Sequence, residues 1–145
     1  MVEQITDDHG IIVCHIIRAA HSPSATEFYT PKNYSQQLGI IRYAAGGVIR
    51  PHFHNKVSRE VVYTQEVLVI RKGKVKVNLY NNHSYTYCAS VVLYKGDVML
   101  LASGGHGFEM LEDSEMLEVK QGPYIDAAHD KTPIDVYSDL LANPV

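Results

Sequence analysis

Tryptophan is absent from the 145-residue chain, and cysteine occurs only twice. Cys14 and Cys88 lie far apart and form no CxxC pair, which argues against a zinc-finger arrangement and favours two free, buried thiols over a disulfide. No apolar run approaches the roughly 18 residues that a membrane-spanning helix needs. The N-terminus is acidic and lacks the basic region of a signal peptide. We therefore expect a soluble, cytoplasmic protein with no membrane partner.

The chain also has fewer basic than acidic residues. Thirteen Lys and Arg residues stand against sixteen Asp and Glu residues, for a net charge of −3. This balance argues against a nucleic-acid partner, because a surface that binds phosphates needs an excess of cations. The chain is instead rich in histidine, with eight His residues, and its length and 46% hydrophobic content are typical of one globular domain. We expect a single domain over 1–145, with a motif-bearing core over about 40–120.

Short β-type runs separated by turn residues occupy the middle of the chain. The predicted strands cover residues 40–43, 48–53, 66–71, 74–80, 85–93, 98–101, 106–111 and 116–120. Strands of this length and spacing predict an all-β sandwich or barrel. Lys72-Gly73 is a hairpin signal between two of them. Thr132-Pro133-Ile134-Asp135 resembles a helix start, so we predict a short helix or turn over 133–142.

The sharpest local motif is His52-Phe53-His54. In a strand, residues i and i+2 point to the same face, so both imidazoles would face inward and could bind one divalent metal. An HxH motif occurs on many surfaces and is weak evidence by itself. Glu66 and His106 strengthen it, because each begins a later strand. Three imidazoles and one carboxylate suit Fe, Mn, Co, Ni, Cu or Zn, with coordination positions left for water or substrate.

With these residues in place, the chain resembles the cupins, small barrels of the double-sheet jelly-roll type. The first cupin motif is a Gly, five residues, His-x-His, a gap, Glu, six residues and a Gly. Gly46, His52, His54, Glu66 and Gly73 match it. The resemblance implies an all-β double-stranded β-helix that holds one divalent metal through His52, His54, Glu66 and His106.

The second cupin motif matches less closely. Gly96 begins it and His106 supplies its histidine, but Ala102 stands in place of a Pro and Met110 in place of an Asn. The gap between His54 and Glu66 is also longer than in most cupins. Glu60 is therefore an alternative carboxylate ligand, and the inserted loop over 55–65 is either solvated or a lid over the metal.

Further candidates for the site are Arg50, Glu60 and Tyr63. Arg50 shares the strand parity of His52 and would bind an anionic group or lie on the rim. Tyr63 would donate to a substrate oxygen. The remaining histidines have no partner at a useful spacing and are expected to be structural or superficial; they are His9, His15, His21, His83 and His129.

Residues 116–124 resemble the segment that closes the cupin domain of bacterial mannose-6-phosphate isomerases and of cupins in polysaccharide pathways. This resemblance implies an isomerase or epimerase acting on a sugar derivative, with the metal as Lewis acid. The alternatives are an Fe(II)-dependent cupin dioxygenase and a non-catalytic cupin that binds a sugar or another small molecule. Cupins commonly pair through sheet edges, so the resemblance also implies a homodimer.

Overall fold

The computed structural model describes residues 1–135 of the chain. This part of the chain forms ten β-strands and one short helix. In chain order they are β1 (Val2–Thr6), β2 (Ile12–Ile17), β3 (Glu27–Phe28), β4 (Gly39–Ile40), β5 (Glu66–Lys72), β6 (Lys74–Tyr80), β7 (Tyr87–Tyr94), β8 (Val98–Leu101), β9 (Gly105–Met110), β10 (Glu115–Lys120) and α1 (Ala127–Asp130).

The strands form three antiparallel sheets. A five-stranded sheet has the order β1-β2-β8-β5-β10, a three-stranded sheet has the order β7-β6-β9, and β3 pairs with β4. Buried side chains from the two larger sheets form one hydrophobic core, which includes Ile16, Leu68, Val77, Leu93 and Met99. The predicted all-β sandwich of the jelly-roll class is therefore confirmed.

Alternating side chains explain why β6 lies at the centre of the smaller sheet. Val75, Val77 and Leu79 are fully buried, whereas the lysine and asparagine residues between them are only half-buried. This is the period-two pattern of a strand with one face on the core. β6 pairs with β7 on one side and with β9 on the other.

The Lys72-Gly73 turn connects two sheets instead of closing a hairpin. β5 pairs with β8 and β10, while β6 belongs to the other sheet, so the predicted hairpin pairing is wrong. Gly73 has φ +80°, and a β-carbon there would collide with the backbone of Asp113. A glycine is therefore needed where the chain crosses from one sheet to the next.

The predicted strand over 48–53 does not form. Residues 41–64 contain no strand or helix, and every one of them is exposed. Two local features oppose pairing. Gly46, at φ +83°, forms a turn, and Pro51 has no backbone N–H to donate to a neighbouring strand. The predicted strand over 40–43 is reduced to Gly39–Ile40, which pairs with Glu27–Phe28.

The C-terminal helical element lies earlier than predicted. α1 covers Ala127–Asp130, and Asp126 caps it by accepting a hydrogen bond from the backbone N–H of His129 at 2.9 Å. Residues 133–135 are not helical, and the rest of the predicted helix over 133–142 lies outside the described residues. Over residues 1–135, no helix is long and apolar enough to cross a membrane.

Candidate metal centre and adjoining cavity

Glu66 and His106 come together where the two larger sheets face each other. Glu66 is the first residue of β5, and His106 is the second residue of β9. His106 Nε2 lies 3.1 Å from Glu66 Oε2, and the side chains are 28% and 14% exposed, respectively. Register places Glu66 opposite Leu101 and Lys120, and His106 opposite Leu79, so both residues are fixed by strand pairing.

The surroundings of Glu66 favour its charged form. The contact with His106 lowers the pKa of the Glu66 carboxyl below its ordinary value, and partial burial opposes this effect. The positive charges of Lys120 and Lys131 lower that pKa further. The site therefore presents an ionised carboxylate next to an imidazole, and this is a donor pair that divalent transition metals accept.

The spacing of this pair agrees with two positions of a metal site. Nitrogen and oxygen ligands lie about 2.0–2.2 Å from such a metal, so two ligands at a right angle are roughly 3 Å apart. The 3.1 Å between His106 Nε2 and Glu66 Oε2 agrees with that separation. Glu66 and His106, two of the four predicted ligands, are therefore neighbours, and their role as metal ligands stays a prediction.

His52 and His54 form a second pair, on the exposed segment over 41–64. Their ring centroids are 5.3 Å apart in an edge-to-face arrangement. Two imidazoles that bind one metal through nitrogens at about 2.0–2.1 Å have centroids roughly 5 Å apart, so this spacing is compatible with a shared metal. His52 Nδ1 donates to the backbone carbonyl of Arg50 at 2.9 Å, which leaves Nε2 for a ligand role.

The structure does not bring the two pairs together. Among residues 1–135, no group of three or more His, Cys, Asp or Glu side chains is arranged to hold a metal ion. The expectation that His52 and His54 face inward from a strand is wrong, because that strand does not form and both side chains are exposed. The four-residue metal site therefore stays a prediction, and the described conformation does not provide a complete ligand set.

The other three candidates lie in different surroundings. Arg50 and Glu60 are exposed members of the 41–64 segment and contact no part of the Glu66–His106 pair through a hydrogen bond or ion pair. Tyr63 lines a cavity of about 220 Å³. The cavity lies between residues 61–64, just before β5, and residues 121–130, after β10.

Buried Gln65 connects the segments next to this cavity, a role that no local sequence pattern indicated. Its Oε1 accepts hydrogen bonds from Ser35 Oγ at 3.0 Å and from the backbone N–H of Gln36 at 3.1 Å. Its own backbone N–H donates to Gln121 Oε1 at 3.0 Å. Gln65 therefore ties the start of β5 to the end of β10 and to the segment that precedes β4.

His129 and Asp130, at the cavity wall, each contact a neighbouring side chain. Lys120 Nζ lies 2.6 Å from Asp130 Oδ2, and His129 Nδ1 lies 2.8 Å from Asp126 Oδ1. The hydrogen bond that Lys120 donates to Asp130 raises the pKa of Lys120, and the hydrogen bond from His129 lowers the pKa of Asp126. His129 and Asp130 line the cavity, although His129 was expected to be structural or superficial.

Comparison with known proteins gives a limited similarity. Over 66 residues the chain is 36% identical to germin-like protein subfamily 1 member 3 of Arabidopsis thaliana. The matched stretch is 43% of this chain, and the chain spans about a quarter (26%) of the length of that relative. No family profile matches the chain, and no solved structure matches it. Germin-like proteins belong to the cupin superfamily, so this similarity supports the resemblance to cupins and nothing finer.

Proposed function

We propose that the protein is a cupin that binds one divalent metal through His52, His54, Glu66 and His106, and that it acts on a small polar molecule. The observation that carries the proposal is the contact between Glu66 and His106, a carboxylate and an imidazole 3.1 Å apart at the junction of two sheets. The similarity to a germin-like protein supports the cupin part of the proposal.

Completion of the proposed site requires residues 48–54, which carry His52 and His54, to fold onto the barrel. This segment exposes large apolar side chains, among them Val48, Ile49 and Phe53. Burying one side chain of this kind contributes about 1.5–3 kcal/mol. Such burial, together with the metal bonds of His52 and His54, would offset the loss of chain entropy when the segment becomes ordered.

We further propose isomerisation or epimerisation of a sugar derivative as the reaction. A divalent metal in such a site supplies Lewis-acid stabilisation of an anionic oxygen. The support is the sequence resemblance of residues 116–124 to the segment that closes sugar isomerase cupins. Gln121, Gly122 and Pro123 of this segment line the cavity beside β5.

Metal content tests the proposed site. We expect about one equivalent of divalent metal per chain in the wild type by elemental analysis, and loss of that metal in Glu66→Gln, His106→Ala and the double variant His52→Ala/His54→Ala. The matched control is His9→Ala/His83→Ala, because those two rings are also in edge-to-face contact, with centroids 5.0 Å apart. Full metal occupancy in the His52→Ala/His54→Ala variant would refute the ligand assignment.

A separate assay tests the reaction class. The metal-loaded protein is incubated with a panel of aldoses, ketoses and their phosphates under nitrogen, and the products are followed by NMR. Isomerised or epimerised product formed with Mn²⁺ or Zn²⁺ is the expected result. Oxygen uptake that occurs only with Fe²⁺ would support the dioxygenase instead, and ligand binding without turnover would support a non-catalytic cupin.

The proposal also includes a homodimer formed through a sheet edge. β1 and β10 are the edges of the five-stranded sheet, and β10 exposes Leu117 and Val119. An exposed edge strand with apolar side chains is a surface for strand pairing. We expect light scattering during gel filtration to give twice the chain mass of 16.2 kDa, and the monomer mass would contradict this part of the proposal.

A further inference from the structure

The cavity between residues 61–64 and 121–130 has both apolar and polar groups in its wall. Its volume of about 220 Å³ is smaller than the roughly 300–1,000 Å³ of pockets that bind drug-sized molecules, so it suits a ligand of about monosaccharide size. One part of its wall is apolar, formed by Val61, Val62, Pro123 and Ile125. The rest of the wall carries hydroxyl, amide, imidazole and carboxylate groups.

We propose that this cavity binds a neutral polyhydroxylated molecule, such as a monosaccharide that carries no phosphate. Sugars present hydroxyl groups at their edges and C–H groups on their ring faces, and the mixed wall of the cavity matches both. The inference rests on the proposed function for its role as a substrate site. Binding itself needs none of the four predicted metal ligands.

The polar groups of the wall include both donors and acceptors. Asp130 supplies a carboxylate that accepts, and Gln121 supplies an amide whose Nε2 can donate while its Oε1 accepts from the backbone N–H of Gln65. Tyr63 and Thr64 each present a hydroxyl that can both donate and accept. A polyol needs this combination, because each of its hydroxyls also both donates and accepts.

The charges around the cavity disfavour an anionic ligand. The residues that line it in the described part of the chain include no Lys and no Arg. The ammonium of Lys120, which is next to the lining residue Gln121 in the chain, lies 2.6 Å from Asp130 Oδ2 and 5.0 Å from the centroid of the Tyr124 ring. Asp130 adds a carboxylate to the wall. A phosphate would therefore meet the Asp130 carboxylate with no Lys or Arg in the wall to bind it, whereas a neutral hydroxyl can donate to that carboxylate.

The test is an NMR titration of the full-length, ¹⁵N-labelled protein with D-mannose, D-glucose and D-galactose, and with the 6-phosphate of each. We expect at least one neutral hexose to cause saturable shifts in the amides of residues 61–64 and 121–130. The phosphate of that hexose should bind about tenfold more weakly, a difference typical of one unfavourable charged contact.

A cavity-filling variant and a matched control sharpen the test. Val62 and Val48 are exposed to a similar extent, 77% and 75%, and both belong to the irregular 41–64 segment. Only Val62 lines the cavity. Val62→Trp should abolish the saturable shifts, and Val48→Trp should leave them intact.

The outcomes separate this inference from the proposed metal site. Saturable sugar shifts in Glu66→Gln/His106→Ala, in which the metal is expected to be lost, support the cavity proposal. Absence of shifts with all three neutral hexoses overturns it, even if the wild type carries one equivalent of metal. Equal binding by Val62→Trp, or tighter binding of the phosphates, also overturns it.

Discussion

Glu66 and His106 connect the two larger sheets, with Glu66 Oε2 on β5 and His106 Nε2 on β9 only 3.1 Å apart. Both side chains are mostly buried, so their contact is less screened than an ion pair on the surface. The pair therefore affects stability as well as the proposed metal chemistry.

The first prediction concerns acid sensitivity of the metal-free protein. Because the pKa of Glu66 is lowered in the folded state, its stabilising effect is present above the unfolded-state pKa of roughly 4.3 and is lost as the pH falls through the folded-state pKa. We expect Glu66→Gln to reduce the free energy of unfolding by about 1 kcal/mol at pH 7, and by much less near pH 3. Urea unfolding with a chelator present measures this, and a constant difference across pH would contradict it. Glu60→Gln, in the exposed segment, is the control.

The second prediction concerns the ion-pair network around Arg18. Arg18 Nη1 lies 2.9 Å from Oδ2 of buried Asp97, and Arg18 Nε lies 2.7 Å from Glu3. Asp97 also accepts a hydrogen bond from the backbone N–H of Ala19 at 2.8 Å. In Asp97→Ala, Arg18 keeps Glu3 and the Val92 carbonyl, but the backbone N–H groups of Ala19 and Tyr94 lose their acceptor, so the substitution should cost about 2–3 kcal/mol of unfolding free energy.

A surface ion pair provides the comparison for that network. Arg71 and Glu115 are 3.0 Å apart, but their side chains are 61% and 56% exposed. Glu115→Ala should therefore cost no more than about 1 kcal/mol. Chemical denaturation of both variants measures the difference, and equal losses for Asp97→Ala and Glu115→Ala would contradict the assigned role of Asp97.

The third prediction concerns thiol reactivity. Burial raises the pKa of the Cys14 thiol to about 12, and burial also raises the pKa of Cys88. Both cysteines are free, and Cys14 lies in the core. Since the thiolate is the reactive form, Cys14 should not react with Ellman's reagent at pH 8 until the protein unfolds, and Cys88 should react slowly. Fast labelling of Cys14 in the native wild type would contradict its burial; Cys88→Ser isolates the Cys14 signal.

The fourth prediction concerns buried His15. Gln4 Nε2 donates to His15 Nδ1 at 3.3 Å, while His15 Nε2 has no hydrogen-bond partner among residues 1–135. Burial lowers the pKa of this imidazole, so folding favours its neutral form. Its contribution is complete above the unfolded-state pKa of roughly 6.5 and is lost as the pH falls towards the folded-state pKa.

Replacement of His15 by Phe should therefore flatten the dependence of unfolding free energy on pH between roughly pH 7 and 5. Thermal or urea unfolding over this interval measures the slope. An unchanged slope in His15→Phe would show that His15 does not titrate in the way its burial implies.

Strand alternation and turn residues were sufficient to predict most of the barrel. β6 follows from the alternation of Val75, Val77 and Leu79, and the start of β5 at Glu66 follows from the spacing to Gly73. The same local signals overpredicted the strand over 48–53, because they do not report whether another strand is available to pair with it. They also could not show that Lys72-Gly73 joins two different sheets.

In the candidate site, too, the sequence predicted some residues and missed those whose roles depend on tertiary contacts. Motif spacing selected Glu66 and His106, and the structure brings them into contact. The roles of Gln65 and His129 could not be predicted from sequence. Gln65 acts through hydrogen bonds to Ser35 and Gln121, which are distant in the chain. His129 acts as part of a cavity wall that only the folded chain forms. No local pattern carries that information.

The central claim is that His52 and His54 share one metal with Glu66 and His106. The most direct measurement is a Mn²⁺ titration of the ¹⁵N-labelled protein, since this paramagnetic ion broadens the amide signals of residues close to it. The claim predicts that substoichiometric Mn²⁺ broadens residues 51–55 and 105–107 in parallel, and that neither group broadens in His52→Ala/His54→Ala. Broadening confined to one of these two groups in the wild type would contradict it.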